Sequence, residues 1–143
     1  MQANRRGELL AEYGTGADVF GFVHADLRLA NLLVDGIGTN SKITVIDFDD
    51  CGFGYWLYDI AVALWELRHR HDYGQFRDAL IEGYTQHRPL PGDLTLIDDF
   101  IATRDVAFGL WFTGTAQANP AFRADLHEVQ HNISHSLSEL TRH

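Results

Sequence analysis

The sequence is short of cysteine and of positive charge. Its 143 residues contain one cysteine, Cys51, so no disulfide can form within the chain, and we expect this thiol to behave as a small apolar side chain. Twenty acidic and 11 basic residues leave a formal net charge of −9. This balance argues against a nucleic-acid partner, because a phosphate backbone is bound by clustered cations.

Long apolar runs are also missing. No stretch approaches the roughly 20 apolar residues that cross a bilayer, and the first seven residues carry charge without an apolar signal segment. We therefore expect a cytosolic protein with no membrane partner. The length fits a single domain over residues 1–143, large enough to bury its own core.

Hydrophobic spacing divides the chain into a loop-rich part, residues 19–54, and a helical part, residues 55–143. In the first part an apolar run over 19–23 leads to His24, and strands at 32–34 and 43–46 flank turn residues, which predicts a hairpin. Helices are predicted over 4–13, 56–68, 73–87, from the capping Asp93 onward, and over 121–140. Together these elements predict a mainly helical α+β domain.

Three polar side chains, Asp26, Asn31 and Asp47, stand beside predicted strand ends in otherwise apolar sequence. Carboxylates placed together repel one another and resist burial, so a positive group must offset them. Mg²⁺ suits this set, because it commonly takes one or two carboxylates together with phosphate oxygens. The alternative is ordinary capping and turn chemistry around a hairpin.

Three segments carry a resemblance to a known family: HADLRLAN at residues 24–31, VIDFDDCGFG at 45–54 and YDIAVAL at 58–64. They resemble the phosphotransferase enzyme family, which includes aminoglycoside phosphotransferases, choline kinases and homoserine-kinase-like proteins. That family carries H-G-D-x-x-x-x-N, then I-D-[FW]-[DE], then a helix with D-[IL]-A. The resemblance implies a protein-kinase-like fold, of which this chain would be the C-terminal lobe: a catalytic loop, a β-hairpin and a helical bundle.

The resemblance also implies chemical roles for the matching residues. Asp26 would orient and deprotonate an attacking hydroxyl, as the corresponding Asp of the protein-kinase catalytic loop does. Asn31 and Asp47 would hold Mg²⁺ against the phosphates of ATP. Asp49 would assist the metal or meet a substrate ammonium group, and a solvated turn carboxylate is the alternative for it.

Further matching residues would support the loop. His24 would brace it without taking part in the chemistry, and Asp59 on the following helix would accept hydrogen bonds from its backbone. Arg28 stands where family members often have His. Ala25 replaces the usual Gly, so the backbone there lacks the freedom of glycine at positive φ.

The segment before His24 departs from the family pattern. Its 23 residues hold no glycine-rich loop and no strand-borne lysine, so we expect the N-terminal lobe that covers ATP to be absent. An uncovered lobe exposes apolar surface, and such surface promotes association. We therefore expect a homodimer or a larger assembly.

Two functions are compatible with these features. The first is an ATP- and Mg²⁺-dependent phosphotransferase that phosphorylates a hydroxyl of a small molecule, and the acidic run at 47–50 makes an amine-bearing acceptor one option. The second is a non-catalytic remnant of such an enzyme that serves binding or assembly.

Two other patterns have ordinary structural explanations. His127, His131 and His135 recur every four residues and could bind a transition metal, but a solvated helix face is the expected explanation. Trp56, Trp65 and Trp111 follow the helical period, so we expect them in the core and not in a ligand cage.

Overall fold

The computed structural model describes residues 11–142, with side chains as far as residue 138. The strands are β1 (Phe20–Val23), β2 (Leu32–Asp35), β3 (Lys42–Val45) and β4 (Gly52–Tyr55). The α-helices are α1 (Trp56–Trp65), α2 (Tyr73–Thr85), α3 (Ile97–Ala118) and α4 (Leu126–Arg142). This order, with short strands followed by helices, confirms the mainly helical α+β class. No helix in the described part combines the length and apolar character that a membrane span requires.

Strands β2 and β3 form the predicted hairpin, pairing antiparallel over four residues each. Their connection needs left-handed backbone at Gly36 and Gly38, with φ of 90° and 69°, which glycine adopts without steric cost. The hairpin carries the chain out from Asn31 and back to Ile46. The Ile46 N–H then donates to the Asn31 carbonyl at 3.0 Å, so the two ends of the hairpin lie side by side.

A second two-stranded sheet pairs β1 with β4, a strand that the sequence pattern does not predict. Three of the eight residues in these two strands are glycine, namely Gly21, Gly52 and Gly54. These glycines interrupt the alternation of side chains that marks a strand. A side chain at Gly21 would meet the Trp56 indole at 2.1 Å, so the close approach of that ring requires glycine. The sheet fixes the chain immediately before His24.

Helix α1 lies at the centre of the core and packs against α3. Leu57 and Leu64 are 0% and 1% exposed, and burying one such side chain stabilises a fold by about 1.5–3 kcal/mol. The buried cluster consists of Leu57, Ile60, Ala61, Leu64, Trp65, Leu96, Ile97, Phe100 and Ile101.

Several helix boundaries differ from the predicted ones, and α2 ends at Thr85 and not at 87. Helix α1 ends at Trp65 and not at residue 68, because the following residues form turns, with the Leu67 N–H bonded to the Leu64 carbonyl at 3.0 Å. Helix α4 begins at Leu126 and not at 121, because a 3₁₀ turn intervenes at Pro120–Phe122. Residues 11–13 are helical, and the rest of the predicted 4–13 helix lies outside the described residues.

Helix α3 is preceded by a 3₁₀ turn at Leu94–Leu96, and the predicted cap is present there. The Asp93 side chain accepts the Thr95 N–H at 2.9 Å. These hydrogen bonds to the backbone and side chain of Thr95 lower the pKa of the Asp93 carboxyl below its usual range.

Tyr13 fastens the N-terminal part of the described chain to the loop before α3. Its hydroxyl donates to the Pro91 carbonyl. Burial raises the pKa of Tyr13 to about 12, and burial also raises the pKa of Tyr84. The Tyr13 phenol therefore keeps its proton, and with it this hydrogen bond, at neutral pH.

Candidate active site

The backbone of the loop that follows β1 is held by a single carboxylate. The Asp59 side chain, in the first turn of α1, accepts the backbone N–H of His24 at 2.7 Å and that of Ala25 at 2.8 Å. Two charge-assisted hydrogen bonds to consecutive amides fix the direction in which the loop leaves the strand. Asp59 thus links the core helix to the loop that carries Asp26.

Ala25 occupies a backbone conformation that favours glycine, with a φ of 64°. The left-handed region costs a residue with a side chain roughly 1–2 kcal/mol. Asp47 has the same φ of 64°, and aspartate tolerates this region better than most residues. Both strained positions lie next to polar side chains of the candidate site.

Replacing Ala25 by glycine should raise the free energy of unfolding by about 1 kcal/mol, because glycine removes the left-handed strain. Ala30 offers a matched control, since it lies in the 3₁₀ turn at Leu29–Asn31 of the same loop without a positive φ. The Ala30→Gly change should lower stability by about 0.5–1 kcal/mol. Urea denaturation measures both variants, and shifts of equal sign would contradict the assignment of strain to Ala25.

His24 ties the loop to the end of the hairpin. Its Nδ1 accepts the Asp26 N–H at 3.3 Å, which leaves Nε2 to donate to the Ile46 carbonyl at 2.9 Å. The imidazole also packs against the Phe48 ring, with ring centres 4.6 Å apart. His24 is 6% exposed, so both ring nitrogens are used within the fold.

Asp26 is held on both carboxylate oxygens. Asn31 Nδ2 donates to Oδ2 at 2.9 Å and to the Asp26 carbonyl at 2.9 Å. Arg104 Nη2 from α3 donates to Oδ1. The structure therefore brings together Asp26 and Asn31, which the sequence analysis predicted, with Arg104, which it missed.

Asp47 lies at the other end of the hairpin, next to this group. Its neighbour Ile46 is bonded to the Asn31 backbone, and its other neighbour, Phe48, packs on His24. The Asp47 side chain is exposed. Asp49 lies further on, in an exposed turn closed by the Cys51 N–H on the Phe48 carbonyl at 3.1 Å.

The donor atoms suit a hard cation better than a transition metal. Because Asn31 uses Nδ2 toward Asp26, its amide oxygen is the atom that can meet a cation, and Asp47 supplies a carboxylate. Among the described residues, no group of three or more His, Cys, Asp or Glu side chains could hold a metal ion. His127, His131 and His135 are exposed on α4, in agreement with a solvated face.

The far end of the loop is attached to Glu66, the residue that follows α1. This carboxylate accepts the Leu29 N–H at 3.1 Å and lies 3.7 Å from Arg28 Nε. Arg28, which was expected to support the loop, therefore faces Glu66.

Arg104 escaped the sequence analysis because it lies 78 residues from Asp26. Its guanidinium carbon is 5.2 Å from the centre of the Trp65 ring. The neighbouring Asp105, 8% exposed, accepts Trp65 Nε1 and Arg68 Nη2 at 2.6 Å each and Ser136 Oγ at 2.7 Å. The available signal was the charged pair Arg104-Asp105 inside the otherwise apolar stretch of α3.

The three tryptophans do not share one environment. Trp65 is 8% exposed and belongs to the core, as expected. Trp56 is half-buried, and Arg88 stacks on it with its guanidinium carbon 4.2 Å from the ring centre. Trp111 is 58% exposed, so its expected core position is wrong. The helical period placed Trp111 with the core residues of α3, but its packing partners include the Phe122 ring near the chain surface.

Apolar side chains of the hairpin are exposed beside the site. Leu33, Val34 and Ile43 are 53%, 64% and 61% exposed, and Ile46 is 37% exposed. Cross-strand partners share a face, so Leu33 lies with Thr44 on one face, and the two-residue period places Ile46 there as well. An apolar surface thus adjoins the polar group around Asp26.

In sequence, residues 3–94 match the model of the family described as "Phosphotransferase enzyme family". The chain is 33% identical over 97 residues to an amicoumacin kinase of Bacillus subtilis (strain 168), covering 61% of this chain and 28% of that protein. It is 31% identical over 100 residues to an uncharacterized protein of Deinococcus radiodurans, covering 66% of this chain and 27% of that one.

In structure, the chain is similar to a microcompartment-associated aminopropanol kinase, with a TM-score of 0.76 and 35% identity, covering 97% of this chain and 43% of that chain. It is also similar to an amicoumacin kinase in complex with AMP-PNP, Ca²⁺ and Ami, with a TM-score of 0.64 and 26% identity, covering 92% and 43%. The chain thus spans less than a third of the curated relatives and less than half of these solved chains.

Proposed function

Because this chain belongs to the phosphotransferase enzyme family, we propose that it carries the acceptor-activating and metal-binding part of a small-molecule kinase. The reaction is transfer of the γ-phosphate of ATP to a hydroxyl of the acceptor. The observation that carries the proposal is the contact of Asp26 with Asn31 at 2.9 Å, next to the hairpin end that presents Asp47. Cytosol, where ATP is supplied, is the proposed location.

Asp26 is the proposed general base. Its carboxylate, oriented by Asn31 and Arg104, accepts the proton of the acceptor hydroxyl while the hydroxyl oxygen bonds to the γ-phosphorus. The bond from that phosphorus to the bridging oxygen of ADP breaks in the same displacement. Phosphoryl transfer depends mainly on positioning and on charge neutralisation, so a fixed loop is the main requirement.

Asn31 and Asp47 are the proposed Mg²⁺ ligands, with Asp49 as a further candidate. The amide oxygen and the exposed carboxylate fit an ion that prefers oxygen ligands and completes its shell with phosphate oxygens and water. When bound, the ion neutralises charge on the phosphates of the nucleotide. An amicoumacin kinase with 26% identity was solved with AMP-PNP and Ca²⁺, which supports a nucleotide and a divalent cation here.

The apolar face beside the site is the proposed floor for the nucleotide base. Leu33 and Ile46 are 53% and 37% exposed and adjoin the Asn31 end of the hairpin. A flat aromatic base gains by covering such side chains, while its phosphates extend toward the polar group.

The acceptor is proposed to be a small hydroxyl compound, with an amino group as one option. The relatives include an aminopropanol kinase and an amicoumacin kinase, both acting on small molecules. The exposed carboxylate of Asp49, in a chain of net charge −9, favours an acceptor that carries a cation.

Exposed apolar side chains on the hairpin and on β4 favour a second candidate, a non-catalytic binding or assembly module. Val34, Ile37 and Phe53 are 64%, 96% and 79% exposed. Large exposed apolar side chains tend to be covered by a partner. We propose a homodimer as that cover, in either function. An elution volume that stays at the monomer position over a wide concentration range would contradict the dimer.

Isothermal titration calorimetry with MgATP tests the kinase proposal without requiring an acceptor. We expect binding that disappears when EDTA removes the metal, and a roughly tenfold or greater loss of affinity in Asp47→Asn. Asp50→Asn is the matched control, because it makes the same charge change three residues further on, in the exposed turn that follows Asp47. Absence of metal-dependent binding would reject the kinase proposal and favour the non-catalytic module.

A further inference from the structure

The positively charged side chain that contacts Asp26 belongs to the helical part of the chain and not to the loop itself. Arg104, in α3, bonds Asp26 Oδ1, while the loop arginine, Arg28, faces Glu66. The Arg104 and Asp26 side chains are 12% and 17% exposed, so water screens this pair far less than it screens a surface ion pair. A strong local charge is therefore held next to the proposed base.

Arg104 is mounted on a rigid support. Its guanidinium carbon lies 5.2 Å from the centre of the Trp65 ring, and Asp105 in turn holds Trp65 Nε1 at 2.6 Å. Stacking on an aromatic ring limits the positions that the guanidinium can take. Packing on Trp65 thus keeps the Arg104 guanidinium next to Asp26. Its position is more restricted than that of an arginine on the surface.

Burying the charged Arg104 side chain costs free energy that a purely structural side chain would not require. Arg104 Nε is buried without a hydrogen-bond partner among the described residues. Replacing a whole buried ion pair by apolar residues of similar volume is often neutral or even stabilising. The ion pair of Arg104 with Asp26, kept here with one guanidinium nitrogen unsatisfied, therefore points to a use for its charge.

We infer that Arg104 is a positioning residue for phosphoryl transfer. Its guanidinium cancels the charge of Asp26 where the γ-phosphate must approach, and it fixes the carboxylate plane together with Asn31. The base has to lie near the acceptor oxygen, so its negative charge also lies near the incoming phosphate and repels it. This inference rests on the proposed function, and it adds a residue that acts through Asp26.

The nucleotide pair MgATP and MgADP isolates this effect, because the two differ by the phosphate that must approach Asp26. Calorimetry should show Arg104→Met weakening MgATP about tenfold while MgADP affinity stays within about twofold. A structural defect would weaken both nucleotides together. Arg104→Lys keeps the charge and should retain most of the preference for ATP. Arg104→Gln keeps donors without charge and replaces the methionine variant if that variant does not fold.

A double variant tests whether the charge of Asp26 is the cause. In Arg104→Met/Asp26→Asn the repelling carboxylate is gone, so MgATP affinity should return to near the native value. The matched control is Arg88→Met, since Arg88 also stacks on a tryptophan, Trp56, but bonds the Ala17 carbonyl and not the site. Its ratio of ATP to ADP affinity should equal that of the native chain.

The outcomes separate the two proposals. If the native chain binds both nucleotides and Arg104→Met leaves their affinity ratio unchanged, the inference about Arg104 is wrong and the proposed function stands. If the ratio changes but the double variant does not restore it, charge cancellation is not the cause and the inference is again wrong. If the native chain binds neither nucleotide, the proposed function is overturned and the inference with it.

Discussion

Replacing Asp105 by alanine should lower the free energy of unfolding by about 3–5 kcal/mol, because removal of one partner leaves a buried charge without compensation. Asp105 is 8% exposed and accepts from Trp65, Arg68 and Ser136 at 2.6, 2.6 and 2.7 Å. The change would strand the Arg68 guanidinium, whose pKa burial already lowers below its ordinary value. It would also leave two other buried donors unsatisfied.

This carboxylate joins three parts of the helical bundle. Trp65 ends α1, Arg68 lies in the turns that follow it, and Ser136 belongs to α4. Losing the acceptor should therefore loosen α4 and the Trp65 ring on which Arg104 stacks. Stability and the geometry of Asp26 should decline together.

Urea denaturation followed by circular dichroism measures the loss, with Asp78→Ala as the control. Asp78 is an exposed aspartate on α2, and its removal should change stability by less than about 0.5 kcal/mol. Asp105→Asn keeps the acceptor oxygen but not the charge. Its loss of stability should lie between those of Asp105→Ala and Asp78→Ala. A loss in Asp105→Ala no larger than that of the control would refute the buried network as a source of stability.

Asp26→Asn should lower kcat for phosphoryl transfer by about 10²–10⁴-fold, the usual contribution of a positioned general base. The amide keeps the shape of the side chain and can still accept from Arg104, but it cannot take the acceptor proton. MgATP affinity should not fall, because the change removes a negative charge from the vicinity of the phosphates. The effect should thus appear in kcat and not in nucleotide binding.

Acceptor-dependent release of ADP, tested with a set of small amino alcohols and other hydroxyl compounds, measures the rate. Asp50→Asn makes the same charge change in the exposed turn and should leave the rate within about twofold of the native value, well below the effect of losing a base. Equal rates for Asp26→Asn and the native chain would show that Asp26 is not the base.

The hairpin and α1 were predictable because their signals are local. Two short apolar runs on either side of the turn residues at 35–40 specify the hairpin, and apolar residues at helical spacing specify α1. The sheet of β1 with β4 has no comparable signal, since three glycines interrupt its alternation. There the Trp56 ring instead occupies the space over Gly21.

Some residues of the candidate site could likewise be predicted from the sequence and others could not. The spacing of Asp26, Asn31 and Asp47 within one loop and one hairpin could be recognised from the chain alone. Arg104 could not, because the contact with Asp26 spans 78 residues and depends on how α3 lies against α1. The exposure of Trp111 likewise follows from helix packing and not from helical period.

The sequence by itself determined the net charge of −9, the lack of an internal disulfide, the order of the hairpin and the helices, and the loop residues shared with the family. These properties depend on residue type and on short-range spacing, which steric preferences and burial translate directly into local structure. Tertiary structure decided that Arg104 meets Asp26 and that Asp105 joins the end of α1, the turns after it and α4. Such contacts arise when distant elements pack, because burial brings together whichever side chains the packed faces carry.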